Sequence, residues 1–430
     1  MRVVVSKVSL QPPRGTRDFY PEDVRVREWI FSHLRAVADR FGFEEVDAPV
    51  LEHEELFTRK AGEEIVEQLY HFELHDRRLA LRPEITPSIA RMVAARRGSL
   101  RLPLRWFSIP QCWRYERMTR GRRREHYQWN MDIWGEASVT AEAELIAAIF
   151  HCLDRMGLPP EAARIRVNSR ALLEETLQGT VLRDRPEAFA TLCVAIDKLD
   201  KIGEEAVTEL LVDPTGAVCL DAAAAEFVVS WLALCDLDEA AKHAPPSSPA
   251  AEDLARLFAL LDAYGVADRV VFDASIVRGL AYYTGIVFEA YDAGRSLRAI
   301  CGGWRYDHLL ETLGAPATPA VGFGFGDVVI TGLLSDAGVL PDNPRELSAV
   351  VFPFSDAELP AAVRVASALR AQNASVELVL GQPKLKRVLA DADKAGARRV
   401  YLIGPDELAR GEVLVRDLAS GEQTTEPIPD

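Results

Sequence analysis

The stretch "CWRYERMTRGRRREHYQWN" (residues 112–130) holds six arginines within eleven positions: Arg114, Arg117, Arg120, Arg122, Arg123 and Arg124. The chain around it has a formal net charge of −15. Side chains of an extended strand alternate between faces with period two. On 126–134 that alternation puts Tyr127, Trp129, Met131 and Ile133 on an apolar face and His126, Gln128, Asn130 and Asp132 on a polar one. In the preceding expected strand, "LRWFSIPQCWRYE" (104–116), Arg114 and Glu116 share a face with Cys112 and Pro110. Paired as a hairpin around the 117–124 loop, the two strands align their polar sides. The resulting floor carries a cation, two carboxylates, amides and an imidazole, a set that is costly to bury without partners. Such a floor is either washed by solvent or built for a ligand. Every cation in the loop is an arginine, whose planar fork suits bidentate phosphate contact. The loop arginines therefore point to a nucleic-acid backbone, and Arg114, deeper in the sheet, to a nucleotide phosphate.

At 430 residues the chain exceeds one compact core, so two or three domains are expected. With 48% apolar and 27% charged residues it reads as globular, and its acidic balance excludes wholesale coating of nucleic acid. The six cysteines (Cys112, Cys152, Cys193, Cys219, Cys235 and Cys301) form no C-x-x-C pair. That argues against a zinc site and a disulfide framework, and for reduced thiols in a cytoplasmic protein. The start, "MRVVVSKVSLQPPRGTRDFY", lacks the apolar core of a signal peptide, and no apolar run approaches the ~20 residues that cross a bilayer.

Two segments interrupt the pattern. "KHAPPSSPAAED" (242–253) reads as a loop between helices, and "SDAGVLPDNPRE" (335–346) as an interdomain linker. Before the linker, an amphipathic helix (23–42, stopped by Gly42), a strand (43–52) and a helix (84–98) lead into the arginine hairpin. A mostly helical stretch (139–263) follows, and strands return between 269 and 303. After the linker, strands at 347–354, 375–380 and 398–404 alternate with helices at 356–372 and 385–396, and a hairpin closes at 411–428. The expected fold class is α+β: a large antiparallel sheet with flanking helices, a helical insertion (about 163–262), and a C-terminal α/β domain (346–430) after a first domain of 1–335.

Several segments carry a family resemblance. "WRYER" (113–117) with "GRRREHYQ" (121–128) resembles motif 2 of class II aminoacyl-tRNA synthetases, and "FGFEEVDAPVLE" (41–52) resembles motif 1. "LALRPEITPSIARM" (79–92) is similar to the segment that opens their amino-acid pocket. "VRGLAYYTGIVFEAY" (277–291) and "CGGWRYDHLLETLG" (301–314) with "PAVGFGFG" (319–326) resemble segments of the histidyl-tRNA synthetases. The likeness runs in order from "RGTRD" (14–18) through the C-terminal domain.

The resemblance implies an enzyme that activates L-histidine with ATP and Mg²⁺ and transfers it to tRNA(His). Charge builds on the phosphoryl oxygens in the first step, so placed cations matter most. Arg114 and Arg278 would flank the α-phosphate as the catalytic cations. Glu116, Arg122, His126, Gly324 and Gly326 would serve ATP, the glycines (with 302, 303 and 322) as the floor under the adenosine. Glu84, Thr86 and Gln128 would take the histidine ammonium, and Asp132 and Tyr283 its two ring nitrogens. Tyr282 would be the packing member of the tyrosine pair. Arg120, Arg123 and Arg124 would face tRNA; for Arg124 the phosphates are an equal possibility. No metal ligands are assigned. The C-terminal domain, with Lys384, Lys386, Arg387, Lys394, Arg398 and Arg399, would read the anticodon, the insertion would lie over the acceptor stem, and motif 1 would form a homodimer.

Three positions depart from the family pattern. Motif 3 normally ends in an arginine, where "GFGFGDVVI" (322–330) has Asp327, Val328 and Val329. His126 stands where the family stacks a phenylalanine on adenine, and Ala281 replaces an aspartate. Three other readings compete. One is a non-catalytic paralogue such as the regulatory subunit of ATP phosphoribosyltransferase, which the missing arginine favours and the complete arginine loop opposes. Another class II ligase would lack the 277–291 segment. A tRNA-recognition protein with a dead site would have lost Glu84 or Arg278.

Overall fold

The apolar and polar faces of 126–134 separate in space as the alternation requires. The computed structural model describes residues 9–59, 63–216, 218–277, 283–294, 299–342, 345 and 347–429. Strand Glu125–Trp134 lies in a nine-stranded sheet between Leu104–Ser108 and Ala320–Gly326, antiparallel to both. Beyond Ala320–Gly326 come Cys301–Arg305, Ile286–Asp292, Ala163–Ser169 and Val270–Phe272, and Glu44–Glu45 borders Leu104–Ser108. Only the two outermost pairs are parallel. The expected α+β class holds, with a mixed sheet at its centre.

The odd-numbered face is core. Trp129, Met131 and Ile133 are buried, and Trp129 meets Phe323 and Phe325 edge-on with centroids 5.0 and 5.8 Å apart. Each such side chain contributes on the order of 1.5–3 kcal/mol by leaving water. Helix Pro21–Arg40 buries Ile30, Phe31, Leu34, Val37 and Ala38, and its Phe31 packs edge-on against Tyr127 at 5.3 Å. Helix Thr140–Arg155 is tied to the sheet by a buried ion pair, in which Arg305 Nε and Nη2 donate to Glu142 at 2.6 and 2.7 Å. Helix Thr86–Arg96 packs Ile89, Ala90 and Val93 against Trp134, Tyr306 and Leu310.

Four expectations need correction. The strand read over 104–116 is two pieces, Leu104–Ser108 and Gln111–Trp113, because Pro110 has no N–H to continue the ladder. Arg114 and Glu116 lie past its end, although the Arg114 N–H still donates to the Arg124 carbonyl at 2.9 Å. The helical stretch is interrupted by Ala163–Ser169, a sheet strand whose Ala163, Ile165 and Val167 alternate inward. Of the segment 242–253, the part from Pro249 onward is already helix (Pro249–Ala263), capped by Ser248 Oγ accepting from Ala251 N–H at 3.0 Å. A small sheet of Leu51–His53, Arg77–Leu81 and His71–Leu74, whose last hairpin turns at His75 and Asp76, was not expected beyond its first strand.

The chain divides into two compact units, residues up to Asp18 with Arg27–Leu340, and Phe19–Val26 with Pro341–Asp430. In the second unit, strands lie in the order Val376–Leu378, Leu347–Pro353, Ala397–Ile403, Glu412–Asp417, Gln423–Pro427. The first three run parallel and the last two complete antiparallel pairs. Helix Leu359–Ala371 covers one face through Ala362, Val365 and Ala366, and helix Leu385–Lys394 the other through Val388 and Ala392. The short helix Pro405–Arg410 was not foreseen.

Candidate active site

The sheet's even-numbered face assembles the polar residues. Gly322 stands opposite Asp132, Gly324 opposite Asn130 and Gly326 opposite Gln128. The space a Cβ would need at Gly322 holds the Asp132 carboxylate and the Tyr306 hydroxyl; at Gly324 it holds the Gln128 amide. Glycine is required at both because the neighbouring strand's side chains lie flat across the backbone. These two glycines therefore seat polar side chains, while nothing stands within 4 Å of a Cβ at Gly326. Gly303 does not belong to this floor. It lies on the opposite face, where the Phe288 ring fills its missing side chain.

Asn130 and Asp132 are buried, and Gln128 is half-buried. Among the described residues, Gln128 Oε1, Asn130 Oδ1 and Asp132 Oδ2 are buried with no hydrogen-bond partner. Buried polar atoms are ordinarily satisfied, so three orphans on one face mark where a polar ligand belongs. The second oxygen of Asp132 accepts from Tyr306 Oη. Burial raises the Asp132 carboxyl to about 7, opposed by that hydrogen bond and reinforced by nearby Glu84. Tyr306, in turn, is held well above the usual phenol range by burial and by Asp132. Tyr283 is buried, with its ring 4.8 Å from that of Trp304, and Tyr306 lies within its electrostatic reach. Tyr306 was quoted in the sequence only as part of a motif; its signal was its place one residue beyond the strand paired with the glycines.

Glu84 enters from the segment before helix Thr86–Arg96 and Thr86 is the first residue of that helix; both are buried. Burial raises the Glu84 carboxyl, with Arg114 opposing, and Arg114 Nη2 stands 3.6 Å from Glu84 Oε2. Arg114 Nε donates to the Pro83 carbonyl at 2.9 Å, which turns the guanidinium toward this corner. The segment is fixed by Arg82, another residue not foreseen, which donates to Gln111 O, Asp47 Oδ1 and Ala48 O at 2.9, 2.9 and 2.6 Å. His126 lies on the same face, opposite Cys112. Burial lowers its imidazole to about 3, helped by the Arg114 and Arg17 charges, so the ring is neutral at working pH.

The loop arginines have separate fates. Arg122 Nε lies 2.8 Å from Glu116 Oε2. Exposed Arg120 forks onto Asp336 at 2.6 and 2.8 Å. Arg123 is exposed. Arg124, expected to face either tRNA or the phosphates, stacks 3.6 Å above the Tyr115 ring, and its stem fills the space beside Gly15, which has φ +95°. Arg278 and Tyr282 lie outside the described residues. Among the described residues no three His, Cys, Asp or Glu side chains gather as a metal site, and no helix is long and apolar enough to cross a membrane.

The site thus consists of a glycine strand set against a strand of polar side chains with an arginine loop beside it, and a second unit with a five-stranded mixed sheet follows in the chain. A sequence profile described as Histidyl-tRNA synthetase matches residues 15–326, and one described as Anticodon binding domain matches 348–429. The chain is 48% identical over 418 residues to the chloroplastic/mitochondrial histidine–tRNA ligase of Arabidopsis thaliana, covering 97% of this chain and 85% of that protein. To the histidine–tRNA ligase of Opitutus terrae it is 39% identical over 419 residues, covering 96% and 95%. The crystal structure of a histidyl-tRNA synthetase from a Nostoc species shares the fold, with TM-score 0.76 over 98% of this chain and 97% of that one, at 24% identity. The chain belongs to the histidyl-tRNA synthetase family, and its activity is ATP-dependent ligation of histidine to tRNA. The regulatory-paralogue reading is not favoured, since these curated relatives are ligases.

Proposed function

We propose that the polar face of Glu125–Trp134 reads histidine, and that the arginines at its hairpin end handle ATP and tRNA. The observation that carries this is the trio of orphaned buried atoms on Gln128, Asn130 and Asp132, set opposite glycines. Gln128, Glu84 and Thr86 accept the ammonium. Asp132 Oδ2 accepts from one imidazole nitrogen, and Tyr283 serves the other. A site that hydrogen-bonds both ring nitrogens rejects amino acids that leave its buried groups unpaired.

Arg114 sits between this pocket and the loop, where it holds the histidine carboxylate against the α-phosphate. Arg278 supplies a second cation in this reading. Attack by the carboxylate oxygen forms the acyl–phosphate bond while the bond to pyrophosphate breaks, and fixed guanidinium charge stabilises the phosphoryl oxygens. Arg122 and Glu116 serve the remaining phosphates, and His126 and Gly326 the adenosine. Gly324 contributes indirectly by seating Gln128. Mg²⁺ would arrive on the ATP phosphates, where Glu116, here paired with Arg122, would be a carboxylate to hold it; sparse protein ligation suits Mg²⁺, which keeps most of its waters. Arg120 and Arg123 meet the tRNA acceptor end, Arg120 after release from Asp336. Arg124 shapes the loop through Tyr115 and Gly15.

Residues 1–335 are proposed as the catalytic domain, with the insertion (about 163–262) over the acceptor stem, and 346–430 as the anticodon reader. The exposed lysines 384 and 386 support that reading. A homodimer through the 41–52 segment is supported by Val50 and Leu51, each 41% exposed, and is tested by sedimentation. The cytoplasm is the proposed compartment; the described cysteines are free, and fractionation tests the point. The functional test is ATP–pyrophosphate exchange with each amino acid, then charging of total tRNA. Exchange with histidine alone, lost in Arg114→Ala, is expected. Exchange that survives in Arg114→Ala would remove the phosphate assignment.

A further inference from the structure

Apart from Gly15 beside Arg124, the "RGTRD" segment (14–18) is used by no step above, yet it is bound to the strand that carries the site. The Arg17 backbone N–H donates to Glu125 Oε1 at 3.2 Å, and Arg17 Nε lies 3.7 Å from the same oxygen. Arg17 Nη2 donates to Asp327 Oδ2 at 2.9 Å. The other Asp327 oxygen accepts the Tyr127 backbone N–H at 2.9 Å. Both carboxylates are buried, and burial raises both while Arg17 opposes the rise. The segment is held in place next door, where the Arg124 N–H donates to the Gly15 carbonyl at 2.9 Å.

The consequence lies between the two anchored residues. Glu125 is gripped through its side chain and Tyr127 through its backbone, and both belong to one ion-paired unit. His126 sits between them, and its ring projects to the opposite face, the one that faces the ligand. A strand fixed on both sides of one residue has little freedom to shift that residue's ring. Asp327 also opens helix Asp327–Asp336, so the same unit joins the end of the glycine strand to the strand that bears His126.

We propose that Arg17, with Asp327 and Glu125, is a positioning device for the nucleotide half of the site, setting His126 against the base of ATP. In this corner the family pattern led to an expected arginine near Val329; here a guanidinium comes from the N-terminal segment. Arg17 acts through His126 and the strand, and touches no substrate. The proposal rests on the reading of this face as the ATP and histidine site.

The test is exchange kinetics on Arg17→Gln, Arg17→Lys and Asp327→Asn, with KM measured separately for ATP and histidine and with thermal unfolding alongside. Loss of one charge-assisted anchor should raise the KM for ATP about tenfold in Arg17→Gln and in Asp327→Asn, with the KM for histidine within about twofold. The double variant should be no worse than either single one, since both break one unit. Arg17→Lys keeps the charge and should recover most of the loss. Equal rises in both KM values, or a lowered melting temperature with both KM values unchanged, would overturn the proposal. Should Arg17→Gln fail to fold, Asp327→Asn and Arg17→Lys carry the same comparison. Absence of histidine-dependent exchange in the unsubstituted protein would instead overturn the site reading on which the proposal rests.

Discussion

Asp132 has one oxygen on Tyr306 and the other buried without a partner, and burial raises its carboxyl to about 7. The folded-state value lies above the unfolded one, so this group's contribution to stability is present at low pH and is lost as pH rises toward 7. Its carboxylate form, the one proposed to accept from the imidazole, gains population over the same range. Histidine affinity should therefore rise between about pH 6 and 8. The substrate's own ring titrates nearby, and Asp132→Asn isolates that part: its pH profile should be flatter than that of the unsubstituted protein in calorimetric titration. Tyr306→Phe removes the donor that fixes Asp132, a bond to a charged group worth roughly 1.5–3 kcal/mol, and should weaken histidine about tenfold or more. At this scale the sequence was informative because alternation is a geometric rule. It sorted His126, Gln128, Asn130 and Asp132 from Trp129, Met131 and Ile133 correctly. It did not reveal Tyr306 or Arg82, whose roles depend on contacts between segments far apart in the chain.

Elements were legible where pattern and punctuation agreed. Helix Pro21–Arg40 and the alternating strands and helices after residue 347 follow their periodicities closely. Ala163–Ser169 was absorbed into a helical region because its seven residues are short beside the helices around them. The hairpin His71–Leu74 and Arg77–Leu81 was missed because its two-residue turn uses His75 and Asp76, with φ of 50° and 60°, where glycine or asparagine is the usual signal. Between elements, the buried Arg305–Glu142 pair joins the sheet to helix Thr140–Arg155. Glu142 is fully buried, so Glu142→Ala removes two of the guanidinium's charge-assisted bonds, leaving Asp307 and the Glu136 and Ser138 carbonyls as its partners, and should cost about 1.5–3 kcal/mol in urea unfolding. An unchanged unfolding midpoint would show that the pair holds nothing.

For the whole molecule, a net charge of −15 coexists with a tRNA substrate, so basic contacts must be local and salt-sensitive. Lys384 and Lys386, both exposed, flank the start of helix Leu385–Lys394 in the second unit. Their joint replacement by alanine should raise the KM for tRNA and reduce the salt dependence of charging, by roughly one log unit per log unit of salt for each phosphate no longer neutralised. Pyrophosphate exchange, which needs no tRNA, should be unaffected. The general plan was readable from motif order alone, while the Arg17 unit and the Arg120–Asp336 pair were not, since each links residues more than two hundred positions apart. The proposed function turns on the reading of histidine by the polar face of Glu125–Trp134. Its most direct test is calorimetric titration of L-histidine, without ATP, into the unsubstituted protein and Asp132→Asn at pH 8. Saturable binding to the first and at least about tenfold weaker binding to the second are expected. Equal affinity for both would contradict that reading.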